Sequence, residues 1–186
     1  MHGLIFTSFR DYVASEHGPD TVSALFDGRP RHLVSEAYPD EELHRLVGAA
    51  AQHSGKTDEE LVREFGVFTG ERTFPRLYPA YYALAGDTRA FLLSVETLIH
   101  ELVRATLPQA APPRLRVSEL GEDGVQITYS SPRKLCRLLR GLTDGTARRF
   151  DESATITEPE CMLDGAEACR LEVRLQPTTR ATDAPE

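Results

Sequence analysis

The rhythm of apolar residues changes once along this chain, near residue 110, and that change limits what the chain can fold into. Before it, apolar side chains recur at three-and-four spacing, the period of helices that bury one face. After it, short runs alternate apolar and polar residues, the period of strands with one face covered. The predicted fold class is therefore α+β: a mainly helical N-terminal part followed by an antiparallel sheet with helices. At 186 residues the chain is predicted to form one domain over residues 1–176. Residues 177–186 have no apolar period and are predicted to be a disordered tail.

In the helical part, Leu4, Ile5, Phe9, Tyr12 and Val13 make a first amphipathic helix that ends before Gly18-Pro19, and Thr21–Phe26 reads as a short second one. Asp40 is placed to cap a helix through about residue 53, with Leu43, Leu46, Val47, Ala50 and Ala51 inward. The Ser54-Gly55-Lys56-Thr57 run is not a phosphate-binding loop, because Ala50 stands where such a loop needs glycine and no strand precedes it. Thr57 and Glu60 instead form a capping box that opens a helix through Phe65. An aromatic-rich helix follows over residues 73–84, and Asp87 or Thr88 caps the next.

That next helix carries the first chemically specific residue. Phe91, Leu92, Val95, Leu98, Ile99, Leu102 and Val103 share one side, predicted to be core, and His100 lies roughly 130° round from its centre, in line with Leu93 and Leu107. A histidine so placed is either a surface or hydrogen-bonded side chain or an axial ligand to a metal or haem. Past Pro112-Pro113, Val125, Ile127 and Tyr129 alternate with Gln126 and Thr128, and the alternation carries Ser131 and Arg133 onto the face of Tyr129. A phenol, a hydroxyl and a guanidinium in a row suit carboxylates, the guanidinium through two parallel bonds. The same residues would also serve an ordinary strand-to-helix corner, with Ser131 as cap and Pro132 as first helical residue. A later hairpin turns at Asp164-Gly165, with Cys169, Leu171, Val173 and Leu175 on one face.

The formal charge of −8, from 21 basic and 29 acidic residues, argues against a nucleic-acid partner. The basic run from Arg133 to Arg149 is at helical spacing and reads, apart from Arg133, as a solvated face. No apolar stretch is long enough to span a membrane and no signal peptide is evident, so a cytoplasmic location is expected. Three cysteines, an odd number, fit reduced thiols or a metal site better than a disulfide framework.

A helix bearing His100, a Pro-Pro pair twelve residues later and Tyr129-x-Ser131-x-Arg133 together resemble the H-NOX family, the haem-containing nitric oxide and oxygen sensors related to soluble guanylate cyclase. The opening Met1-His2-Gly3-Leu4-Ile5, Tyr38-Pro39-Asp40-Glu41 and Leu46-Val47-Gly48-Ala49-Ala50 extend the likeness over nearly the whole chain. The resemblance implies a fold enclosing haem b, with His100 as proximal iron ligand, Tyr129, Ser131 and Arg133 on the propionates, and Pro113 pressing on the porphyrin. It also implies that Ile5, Phe9, Leu138 and Leu142 line the gas-binding side. Family members that hold oxygen carry a tyrosine at the position of Leu138, so the expectation is a sensor of nitric oxide and carbon monoxide that excludes oxygen and is not an enzyme. The expected partner is a separate signalling protein, such as a histidine kinase or a diguanylate cyclase or phosphodiesterase, that reads a shift of the His100 helix. Some relatives bind zinc through four cysteines; here Cys136, Cys161 and Cys169 match, with Glu158 three positions before Cys161. Zinc, redox-active thiols and buried structural cysteines are the three readings of that set. The competing reading of the whole chain is a haem-free or zinc/thiol redox-sensing interaction module on the same fold.

Overall fold

The computed structural model describes residues 1–28 and 31–178. Helix α1 (Gly3–Phe26) starts where the His2 side chain accepts the Leu4 N–H, and it bends at Gly18, whose φ of 81° only glycine adopts without strain. The two predicted helices are thus both present, separated by the kink at Gly18. Its inward residues Phe6, Phe9, Tyr12 and Val13 are almost fully buried. In α2 (Asp40–Ser54) the five predicted inward residues are buried, but Pro39 holds the cap position and Asp40 is the first helical residue. The Thr57/Glu60 capping box is present at the start of α3 (Asp58–Phe68).

Beyond Phe65 the chain departs from the predicted pattern. Instead of stopping, α3 widens into a π-helical stretch, Thr69–Thr73, and runs on into α4 (Phe74–Leu77), after which Tyr78 breaks the predicted 73–84 helix before α5 (Pro79–Ala85). The same device recurs in the histidine helix: α6 (Thr88–Ser94), capped by Asp87, passes through a π-helical stretch, Val95–His100, into α7 (Glu101–Thr106). A π turn holds an extra residue, so faces counted at 100° per residue slip out of phase there. Leu98 and Leu102, predicted as core, are exposed at 37% and 51%.

Four antiparallel strands follow, β1 (Arg114–Glu119), β2 (Gly124–Ser130), β3 (Glu152–Glu160) and β4 (Cys169–Pro177), in the order β1-β2-β4-β3. Helix α8 (Cys136–Arg149) connects β2 to β3. Strand β4 pairs through Pro177 with Glu152, so the ordered part extends past the predicted boundary at residue 176, and residues 179–186 of the predicted tail lie outside the described residues. The predicted alternation in β4 is observed: Cys169, Leu171, Val173 and Leu175 are buried.

Two apolar clusters result, one among α1, α2 and α3 and one on the inner face of the sheet. Helix α8 serves both, giving Leu138 to the first and Cys136 and Ala147 to the second. It approaches α3 and its π extension through glycines. A Cβ on Gly141 would stand 2.1 Å from the Arg63 carbonyl oxygen, and one on Gly145 2.1 Å from that of Val67. Backbone touches backbone along this seam, and it fixes where α8 lies relative to the helical part. Gly141→Ala is accordingly expected to cost about 1–3 kcal/mol, lowering the thermal midpoint by roughly 2–4 °C for each kcal/mol. Gly48→Ala, where the nearest atom would be 3.9 Å away, is expected to be neutral or stabilising; differential scanning calorimetry on both variants checks the contrast.

Candidate functional site

Between the helical part and the sheet lies a cavity of about 210 Å³ with predominantly apolar walls. Its lining comes from α1 (Leu4, Ile5), α4 and its end (Phe74, Tyr78), the histidine helix (Val95, Ile99, His100, Val103), Pro112-Pro113, strands β1 and β2, and α8 (Leu138, Leu139, Leu142). The stripe predicted to be core in the histidine helix is thus in good part cavity wall, and His100 stands on that wall instead of on a separate strip. The π turn accounts for the difference, because it brings His100 round beside Val95 and Ile99.

His100 is 16% exposed, and its Nδ1 lies 3.0 Å from Oε2 of Glu96. Its Nε2 has no protein partner among the described residues. Burial, partly offset by Glu96, lowers the imidazole pKa, so the ring is neutral near pH 7, the form that binds metals. Glu96 also accepts the Leu115 N–H at 3.1 Å and a close contact from Arg104, which reaches the Pro113 carbonyl at 3.4 Å. Burial would raise the Glu96 pKa, but these bonds, led by Arg104, outweigh it and hold the carboxyl below its usual range.

Tyr129, Ser131 and Arg133 all line the cavity, though not along a continued strand. Strand β2 ends at Ser130, and the chain curls through a turn in which the Lys134 N–H donates to the Ser131 carbonyl and Lys134 takes a φ of 49°. Pro132 is therefore not the first residue of a helix: α8 begins at Cys136, and the Ser131 hydroxyl accepts the Arg133 N–H within the turn. The Tyr129 hydroxyl accepts the Leu135 N–H at 3.1 Å. Arg133, 11% exposed, donates through Nε to both carboxylate oxygens of Asp40 at 2.8 Å and through Nη1 to the Ala111 carbonyl. That contact pins Ala111 at φ 43°, a sparsely populated conformation for a residue with a side chain, just before Pro112-Pro113.

Of the residues predicted for the gas-binding side, Ile5, Leu138 and Leu142 line the cavity. Phe9 does not: its ring is fully buried edge-on to Phe65 at 5.1 Å, because α3 takes up that face of α1. Phe74 and Tyr78 were missed; their four-residue spacing on the aromatic helix was the available signal. An apolar cavity, a neutral imidazole with one free nitrogen, and a hydroxyl, phenol and guanidinium at the rim fit a haem with its two propionates.

A second cluster lies under the sheet. One ligand atom from each of Cys136, Glu158, Cys161 and Cys169 falls within 4.8 Å of the others. Cys169 Sγ is 3.0 Å from Cys136 Sγ and 3.9 Å from Cys161 Sγ, and all three thiols are buried and reduced. Burial is the main cause that pushes the Cys136 and Cys169 pKa values up. Glu158 gives one oxygen to Arg137 at 3.2 Å; its other, Oε1, is buried without a partner.

Residues 2–158 match the sequence profile of the haem-NO-binding domain. The chain belongs to the haem-NO-binding, or H-NOX, family. These domains are haem-based gas sensors. The chain is 24% identical to soluble guanylate cyclases 89Db and 89Da of Drosophila melanogaster over 96% of its length, but spans only 28% of theirs. It is 26% identical to an H-NOX protein from Shewanella oneidensis solved in the Fe(II)NO ligation state, with a TM-score of 0.85 over 95% of this chain and 99% of that one. The H-NOX protein of K. algicida, 22% identical with a TM-score of 0.80 over 98% of this chain and all of that one, shares the fold.

In this H-NOX domain the Asp40–Arg133 pair joins α2 to the rim of the cavity. Burial would raise the Asp40 pKa, but bonds from Arg133 and the Met1 nitrogen outweigh it and hold the pKa down. A carboxyl whose pKa is lower folded than unfolded stabilises the fold above the unfolded value of about 3.9, and that contribution is lost as the pH falls through the folded value. Urea unfolding is therefore expected to find the wild type more stable than Asp40→Asn at about pH 6, with the gap closing below about pH 4.

Proposed function

We propose that this chain holds haem b in the cavity and acts as a sensor of nitric oxide and carbon monoxide that excludes oxygen, with His100 as the iron ligand. The observation that carries this reading is the unpartnered Nε2 of His100 on the wall of an apolar cavity whose rim bears Tyr129, Ser131 and Arg133. The haem supplies the iron at which a diatomic gas binds. Tyr129, Ser131 and Arg133 would hold the propionates, Pro113 would pack against the ring, and Ile5, Leu138 and Leu142 would wall the gas side.

Selectivity follows from that wall. Bound oxygen takes partial negative charge and gains from a hydrogen-bond donor, whereas nitric oxide and carbon monoxide need little help. Leu138 and Leu142 provide no donor. His100 would hold the iron, so a change at the iron would be passed to the histidine helix, whose shift a partner such as a histidine kinase or a diguanylate cyclase or phosphodiesterase would read. No described helix is long and apolar enough to cross a membrane, which agrees with a cytoplasmic sensor.

The dithionite-reduced protein is expected to show a five-coordinate ferrous spectrum that is unchanged in air and shifts with nitric oxide. A stable oxygen complex would refute the selectivity, and Tyr78→Phe would then tell whether that phenol is the donor. Leu138→Tyr is expected to create oxygen binding; no gain would count against this geometry. Protein that lacks haem after growth with ample haem, and cannot be loaded, would favour the haem-free interaction module.

For the second cluster, we propose a zinc ion held by Cys136, Cys161, Cys169 and Glu158. The buried Glu158 Oε1 without a partner supports it, since Glu158 offers a carboxylate oxygen within 4.8 Å of the three sulfurs and a cation would satisfy it. In a tetrahedral site with zinc–sulfur bonds of about 2.3 Å, sulfurs stand about 3.8 Å apart; the Cys161–Cys169 pair has that spacing, and Cys136 would move outward. Elemental analysis of reduced protein is expected to find one zinc per chain in the wild type and a clear loss in Cys169→Ser. Zinc-free wild-type protein with three titratable thiols would leave redox-active or structural cysteines.

A further inference from the structure

Glu96 is engaged on both oxygens by groups that belong to different parts of the site. Oε2 takes both the His100 Nδ1–H and the Leu115 N–H, and Oε1 takes Arg104. An ionised carboxylate can only accept, so Nδ1 must donate and the imidazole lone pair lies on Nε2. A charged acceptor on the far nitrogen of a metal-binding histidine fixes the ring and makes it a stronger electron donor. Glu96 is only 23% exposed, so water screens that charge little. Leu115 in turn pairs with Tyr129 across β1 and β2. One oxygen therefore joins the histidine to β1, the strand paired with the one that carries the Tyr129 phenol.

Resting on the haem reading above, we propose that Glu96 is a positioning residue that tightens the hold of His100 on the iron and opposes its release when nitric oxide binds. Arg104 is its counterweight, drawing carboxylate charge away from the imidazole and tying the network to the Pro113 carbonyl. The pair thus sets how readily the signal fires, without touching the gas.

Glu96→Gln keeps the shape and removes the charge, and Arg104→Gln leaves the carboxylate wholly to His100. In haem-loaded, full-length protein, Glu96→Gln is expected to lower the iron–histidine stretching frequency in resonance Raman spectra and raise the reduction potential. The hold of His100 on the iron should weaken about ten-fold, seen as a larger share of five-coordinate nitrosyl in electron paramagnetic resonance. Arg104→Gln is expected to shift each readout the opposite way, which a merely structural role would not do. Both variants loaded with one haem and unshifted would overturn the proposal while leaving the sensor reading intact. If Glu96→Gln does not fold, Arg104→Gln decides alone: a higher stretching frequency supports the proposal and an unchanged one refutes it. Wild-type protein that cannot be loaded with haem overturns both.

Discussion

The Arg133 guanidinium is the joint on which this architecture turns. It leaves a turn at the end of the sheet, crosses to the first residue of α2, and holds the Ala111 carbonyl in between. Apolar contacts between the helical part and the sheet resist separation but not sliding, and Arg133 adds its polar tie to those that join Glu96 to Leu115, Arg89 to Glu119 and Thr88 to Glu152. The charged bonds set direction and register, with the Arg133 side chain 11% exposed and that of Asp40 32% exposed. The strained backbone at Ala111 is tolerated because it is tied at this point, and it delivers Pro112 and Pro113 to the cavity wall.

Much of this arrangement was legible in the sequence where local rules apply. The capping box at Thr57, the inward face of α2, the alternating faces of β2 and β4, and the bend at Gly18-Pro19 each follow from a residue type and a spacing that have one physical meaning. His100, Tyr129, Ser131 and Arg133, singled out in the sequence as candidates, are gathered by the structure at one cavity. The stripe through Leu102 failed because it was read at a constant 100° per residue and crosses a π turn, whereas the helix predicted through Phe65 formed but runs on into another π stretch. Nothing in Thr69–Thr73 or Val95–His100 announces the extra residue.

Other misreadings came from partners that a single segment cannot reveal. Phe9 sits one turn after Ile5, yet Phe65 claims it for the core while Ile5 reaches the cavity. Ser131-Pro132 has the composition of a helix start, but the turn at Lys134 delays the helix to Cys136. The role of Glu96 has no local sequence signal, because its tie to Leu115 spans 19 positions and forms only once the helix lies along β1.

That tie has a further bearing on how the sheet meets its surroundings. Strand β1 is an outer strand, and its Leu115 N–H, which would otherwise face outward, is already taken by Glu96. The opposite outer strand, β3, carries Pro159 where its pairing slips register, and proline has no N–H to offer. An open four-stranded sheet thus ends in two margins that are poor templates for a fifth strand. At Leu115 and Pro159 the sheet has no free N–H to offer an added strand, which disfavours edge-to-edge stacking with its own copies and recognition by extension of the sheet there.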